Sequence, residues 1–335
     1  MSRMRARSRR TFLSLAIVTA LGVGLSGEAT SQIAIAQTVI GIANLGPHPS
    51  LTRTIAGFKD EMAKAGYIDG KNTRYVYSDA NFTQALMPQM FSQILTKKPA
   101  LILTLTTSVS QVARSAVLDR SIPLIFAEVT DPVAAGLVPN WTHGSDRFTG
   151  ASDLQDFDAM LVFAKRLFPG LTSFGVLYSP GEANDVVTNQ ALEAAARRAG
   201  LTFKAVSVDA VNDLAQRAQL LKGVGFVYLT GSNLVQSAIP TVAASMARLR
   251  VPIISSETEA IKQGMATASF AVSLESVGAN AARLAVRALK GDATNLLPVA
   301  KPASTDYVTS ISRREFAKLG LQVPSSFENC QCFIN

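Results

Sequence analysis

Cysteine is almost absent from the 335 residues: there are two, Cys330 and Cys332, both in the last six positions. That excludes a disulfide-stapled scaffold and a four-cysteine zinc site. Only two residues apart, the pair would form a strained bridge, which leaves an unpaired or mixed-disulfide state open. Histidine is as scarce. His48 and His143 lie far apart, which rules out an HExxH helix and a His-rich metal site. No cofactor or metal is expected. Glycine and proline number 22 and 14, too few for a collagenous or low-complexity chain. Also missing are a GxSxG elbow, a Walker A loop and a CxxC pair. The formal charge is +8, but residues 1–36 hold five arginines and one acid, and without them it falls to +4. The rest has no Lys/Arg cluster interleaved with aromatics, so the footprint of a nucleic-acid binder is missing.

What the N-terminus does have is the pattern of an export signal. Arg3 to Arg10 form a basic region, Leu13 to Leu25 an apolar stretch of 13 residues, and Ala34-Ile35-Ala36 a small-residue cleavage site. Residues 1–36 therefore read as a signal peptide. Ser8-Arg9-Arg10-Thr11-Phe12-Leu13 resembles the twin-arginine motif of substrates exported folded; an ordinary Sec signal is the alternative. Gly22, Gly24 and Gly27 spell GxGxxG, but inside the signal and after no strand, so they are discarded. No later run reaches 18 apolar residues, so a soluble periplasmic protein is expected.

From Val39 the chain alternates apolar β-branched runs with helical periodicity. Strands are expected at 39–44, 73–77, 100–105, 123–127 and 148–151, then at 173–178, 203–208, 224–229, 252–255 and 265–270. Ser50 is placed to N-cap a helix with Leu51, Ile55, Phe58 and Met62 on one face. Asp156 caps another, and long helices are read at 189–199, 234–248 and 274–290. This alternation predicts an α/β fold with parallel sheets covered on both faces. The two halves share one plan.

Ligands of such sheets bind beyond the carboxyl ends of the strands. The residues found there are small hydroxyls, amides and acids, each with two readings. His48 between two prolines is a rigid loop residue or a ligand contact. A triad of His48, Ser108 and Asp131 can be drawn, but no oxyanion motif accompanies it, so no enzyme is expected. Ser108 is an N-cap or an anion contact. Asp131 before Pro132 is a turn former or a ligand contact. Asn184 and Asn233 are caps or contacts, and Tyr178 is a core aromatic or a stacking wall. Glu128 and Glu257 read as solvated loop acids, with ligand contact favoured for Glu257.

A resemblance runs from about Val39 to Leu321. Its residues include Val39-Ile-Gly-Ile-Ala-Asn44, His48-Pro49, Gly66-Tyr-Ile-Asp-Gly-Lys-Asn72, Val129-Thr-Asp-Pro-Val-Ala-Ala-Gly-Leu-Val138, Gly175-Val-Leu-Tyr178, Glu182-Ala-Asn184 and Pro252-Ile-Ile-Ser-Ser-Glu257. The chain resembles ABC-transporter substrate-binding proteins of the tryptophan/tyrosine-binding group. The resemblance implies the type I periplasmic-binding fold: two Rossmann-like lobes, three crossovers and one ligand in the cleft. The lobes would be 37–150 with 274–299, and 151–273 with 300–335, hinged near Ala151, Ala271–Ser273 and Ala300–Thr305. It also implies that His48, Thr107, Ser108, Thr130, Asp131, Tyr178, Asn184, Asn233 and Glu257 contact the ligand. That ligand is expected to be an aromatic or large apolar amino acid. Its carboxylate would sit at Thr107-Ser108, its ammonium at Asp131 or Glu257. The protein would act as a monomer that delivers its solute to an inner-membrane ABC permease. A sensory binding protein and a secreted hydrolase are the other readings. The chain departs from the group's pattern at Gly46-Pro47, at Asn140–His143 and in the tail Asn329–Asn335.

Overall fold

The structure, a computed structural model, describes residues 37–334. The expected export signal lies outside the described residues. The chain enters as β1 (Thr38–Asn44), α1 (Pro49–Lys64), β2 (Thr73–Asp79), α2 (Met87–Leu95), β3 (Leu101–Leu105), α3 (Thr107–Ala116), β4 (Leu124–Ala127) and β5 (Phe148–Ala151). These five strands form one sheet, ordered β2-β1-β3-β4-β5 and parallel throughout. Then come α4 (Phe157–Leu167), β6 (Ser173–Tyr178), α5 (Ala183–Ala199), β7 (Thr202–Ser207), α6 (Leu214–Ala218), β8 (Val227–Leu229), α7 (Asn233–Gln236), α8 (Ile239–Leu249), β9 (Ile253–Ser255), α9 (Glu259–Lys262) and β10 (Ala268–Val272). After α10 (Leu274–Leu289), the chain ends through β11 (Tyr307–Ser312), α11 (Arg313–Lys318) and β12 (Phe333–Ile334). The second sheet runs β12-β11-β10-β9-β8-β6-β7, and only the β10–β11 pairing is antiparallel.

Every residue of β3, β4, β8, β9 and β10 is buried. Their continuous apolar runs are what strands covered on both faces require. The first sheet and its helices share one core around Phe58, Phe91 and Phe126. The second sheet separates two cores, one around Phe174 and Phe226, the other around Leu229 and Met246.

The chain passes between the sheets three times. It leaves the first after β5, returns after β10 so that α10 can pack on α1, and leaves again near Ala300. A Cβ on Gly57 would stand 2.3 Å from the Glu275 carbonyl, and one on Gly278 2.0 Å from that of Thr54. Glycine at both positions is what lets these two backbones touch. The crossings are tied together in pairs. The Ala300 N–H donates to Gly150 O at 2.9 Å and the Ser152 N–H to Ala300 O at 2.9 Å, while the Ser273 N–H donates to Asp306 O at 2.8 Å.

Several local expectations change. His48, not Ser50, caps α1: its Nδ1 accepts from the Ser50 N–H at 3.3 Å, and Pro49 opens the helix with the φ that proline fixes. The expected helix 234–248 is two helices, broken at Ala238 with Pro240 in the first turn of α8. Helix α5 begins at Ala183 rather than 189. Strands β11 and β12 were not expected. Cys330 and Cys332 are bonded to each other, with Cα atoms 5.1 Å apart, within the range a bridge spans, so neither is free.

Candidate functional site

The carboxyl ends of both sheets face one cleft, with about 780 Å³ of empty space, part of it open to solvent. The first lobe contributes His48, Ser50 and Leu51 at the start of α1, Phe82 after β2, Thr106 after β3, and Glu128 and Thr130 after β4. The other wall carries Asp153, Gln155 and Phe157 after β5, Tyr228, Thr230 and Gly231 around β8, Asn233 and Gln236 on α7, and Ser256 and Glu257 after β9.

Unpartnered polar atoms concentrate here. Among the described residues, twelve buried side-chain N or O atoms lack a hydrogen-bond partner, and seven of those belong to this lining. They are Ser50 Oγ, Asp153 Oδ1, Gln155 Oε1, Tyr228 OH, Thr230 Oγ1, Gln236 Oε1 and Glu257 Oε1. Buried polar groups are normally satisfied, so such a cluster marks where a polar ligand belongs. Backbone strain concentrates here as well. Phe82 (φ 58), Thr106 (φ 77) and Glu128 (φ 54) sit in the left-handed region, three of the six non-glycine residues that do so among the described residues. Strain of this kind collects at binding sites. Phe82 is held by its N–H, which donates to Leu45 O at 2.8 Å, and by Gly46 beneath its ring, where a Cβ would come within 2.7 Å.

Three carboxyl groups share the cleft, and neither lysine nor arginine is in its lining. Burial, reinforced by Glu128 and Glu259, pushes the Glu257 carboxyl up to about 8. Burial also pushes Glu128 up to about 8, although the Thr54 hydroxyl that donates to its Oε1 acts against the rise. Asp153 is raised to about 6 by burial. A cation introduced here would ionise these acids and gain strong charge-assisted hydrogen bonds. Burial lowers the His48 pKa. With Nδ1 accepting from Ser50, the proton of the neutral ring is assigned to Nε2, a donor at the cleft. Aromatic rings line both sides, Phe82 on one and Phe157 on the other. Phe157 stands edge-on to Tyr228, with centroids 6.2 Å apart at 87°.

Of the nine expected contacts, His48, Thr130, Asn233 and Glu257 line this cleft, and five do not. The Asp131 carboxylate caps its own turn, accepting from the Val133 and Ala134 N–H groups at 3.0 Å each. Asn184 is buried and donates to Gly231 O at 3.2 Å, pinning the start of α5. Tyr178 ends β6 half-buried, away from the lining, and Tyr228 supplies the phenol instead. Thr107 and Ser108 lie in the first turn of α3, with Thr106 as the N-cap. Thr106 reaches the cleft, and Ser108 faces a neighbouring depression. Even Asn233 is partly committed, since its Nδ2 donates to Glu182 Oε2 at 2.9 Å. Sequence reasoning read Glu128 as a solvated loop acid and passed over Asp153, Gln155, Tyr228 and Gln236. The acids were visible, but their burial depends on elements distant in sequence, such as α1, whose Thr54 hydroxyl donates to Glu128.

Beside the cleft, Arg53 joins the two walls. Its Nε and Nη2 donate to Glu275 Oε1 and Oε2 at 2.7 Å each, inside the first lobe. Its Nη1 reaches Glu259 Oε1 of α9 at 3.1 Å and also contacts Thr258 Oγ1, both across the cleft.

Two parallel-sheet α/β lobes with three crossovers and a polar cleft define a type I periplasmic-binding fold, built to hold a solute. The chain belongs to the ABC transporter substrate binding protein family, whose model matches residues 39–329. It is a family of binding proteins, not of enzymes. A tyrosine-binding protein of Clostridioides difficile (strain R20291) is 28% identical over 312 residues, covering 89% of this chain and 90% of that protein. An ABC domain from Streptococcus pneumonia, solved with L-Trp, is 26% identical, with a TM-score of 0.80 over 87% of this chain and 97% of that one. A ligand-free, open substrate-binding protein with adhesive properties from Clostridium difficile is 28% identical, with a TM-score of 0.68 over 89% and 99%. No helix among the described residues is long and apolar enough to cross a membrane.

Proposed function

We propose that the protein is the periplasmic solute-binding component of an ABC importer. It captures an amino acid with an aromatic or large apolar side chain by closing two lobes, and docks on an inner-membrane permease. The lobes are residues 37–150 with 274–299, and 151–273 with 300–335, and the paired crossings act as hinges. The observation that carries this reading is the convergence of unpartnered polar atoms and three cation-free carboxyl groups on one cleft. The ammonium would lie among Glu257, Glu128 and Asp153. The carboxylate would meet the free N–H groups at the start of α3, beside Thr106, and the His48 Nε2 proton. Phe82 and the Phe157–Tyr228 pair would enclose the side chain. The relatives that bind tyrosine and L-Trp support the ligand class. At nearly equal identity, the L-Trp complex matches with a TM-score of 0.80 and the open, ligand-free structure with 0.68. That supports reading the present arrangement as the closed one.

The test is a thermal-shift comparison of tryptophan and tyrosine with their amides and decarboxylated amines. At a hundred times the dissociation constant, a ligand stabilises by about 2.7 kcal/mol. The amino acids should raise the melting temperature most. The acid-rich lining favours one second reading, a plain amine. Equal shifts from amines and amino acids would establish it, and no shift from any amino acid would reject the ligand class.

A further inference from the structure

We propose that Arg53 is a positioning residue for ligand capture: it ties the two lobes together from outside the ligand's contact surface, so that the cleft closes part of the time without ligand. The inference rests on the closure reading above. Arg53 does not line the cleft. Its bidentate bond to Glu275 fixes the planar guanidinium against its own lobe, which leaves Nη1 aimed at Glu259 and Thr258 of the other. A guanidinium held on one edge loses little further freedom on bonding with the other, so the tie is prepared before the lobes meet. The pair is sheltered, with side-chain exposures of 24% for Arg53 and 15% for Glu259. Lys262 also bonds Glu259, at 2.9 Å, and holds that carboxylate in place. His48 and Glu257 are further titratable groups that feel the Glu259 charge.

The tie is coupled to the ligand wall through short stretches of chain. Glu259 lies two residues beyond Glu257, and Arg53 precedes Thr54, whose hydroxyl donates to Glu128. Breaking it should change how long the cleft stays shut without changing which ligand fits.

The experiment is small-angle scattering of the ligand-free protein from about 20 mM to about 1 M NaCl, a range that favours the open form by screening the charges once the lobes part and expose them. The variants are Arg53→Gln and Glu259→Gln. Wild type should expand as salt rises, while both variants should be expanded already and insensitive to salt. Each variant should bind ligand roughly 3- to 30-fold more weakly, through faster dissociation and with an unchanged rank order of ligands. Glu259→Gln leaves the Arg53–Glu275 pair intact, so it still decides the question if Arg53→Gln folds poorly. Curves that coincide for wild type and Glu259→Gln at every salt concentration overturn the proposal, as does a changed rank order. If no amino acid stabilises the wild type, the ligand class is wrong, and the scattering still decides the tie.

Discussion

The two walls of the cleft depart from an ordinary folded surface in different ways. On the first lobe the departure is in the backbone: Phe82, Thr106 and Glu128 hold left-handed φ angles, and of its residues in the cleft lining only Ser50 leaves a buried polar atom unpartnered. On the opposite wall no non-glycine residue of the lining has a positive φ, yet six side chains leave a buried polar atom unmatched. Strain aims rigid groups, whereas unmatched polar atoms wait for a partner. The first lobe thus behaves as a preformed seat. On the reading proposed above, the second is the wall that a ligand would complete.

Substitutions can break or sharpen that contrast. The largest effect is expected at Glu257. Glu257→Gln should weaken binding of an ammonium-bearing ligand by about 2–5 kcal/mol in calorimetry. It should also raise the ligand-free melting temperature, because a buried, unpaired acid is removed. A fall in both would make Glu257 a structural group. Acidity comes next. Burial pushes the Glu257 carboxyl up to about 8 from its ordinary 4.5, so folding holds a proton between those limits. That stabilisation is complete below about pH 4 and lost as pH rises through about 8, with a ceiling of about 5 kcal/mol. Opening of the cleft rehydrates the group, so we expect roughly 1–3 kcal/mol less stability at about pH 8.5 than at about pH 5.5. Urea denaturation should show this slope flattened in Glu257→Gln.

A smaller effect tests the strained wall. At φ 77 and ψ 161, Thr106 occupies a region nearly reserved for glycine. Thr106→Gly should relieve about 1–3 kcal/mol and lose about 1 kcal/mol to chain entropy. The net gain would be about 1 kcal/mol by denaturation. The same change at Thr230, on the unstrained wall, should only destabilise. The smallest effect concerns Asp131. Asp131→Ala should lower stability by about 1 kcal/mol, through the two lost turn bonds, and leave ligand affinity within about 0.5 kcal/mol. A large loss of affinity there would return Asp131 to the site.

The order of β1 to β10 was legible because the central strands are compact apolar runs, in which burial on both faces is written directly into composition; the half-polar edge strands β2 and β7 stood out only by their place between helices. Strand β11 was not: Tyr307–Ser312 is half polar and pairs antiparallel near the sheet edge. The site was legible only in part, for a related reason. Asp131 and Glu257 follow strands in the same way, yet one spends its carboxylate on neighbouring N–H groups and the other finds none. That difference is set by the loop's own turn in the first case and by the facing lobe in the second. Glu128 looked like a solvated acid because α1, which buries it through Thr54, lies more than seventy residues earlier. Tyr228 lies in a strand of buried residues and is itself fully buried, yet it lines the cleft with an unpartnered hydroxyl.

The contact of α10 with α1 also constrains when the protein can fold. The backbones meet at Gly57 and Gly278, some 220 positions apart in the chain. During synthesis, the first sheet and its early helices are complete long before the helix that covers α1 has been made. Until then Phe58 and its neighbours lack their cover, and contacts this distant in sequence form late and leave apolar surface open to aggregation. A nascent chain stopped before residue 274 should therefore be a client of chaperones. The first lobe, though it begins the sequence, is finished almost last.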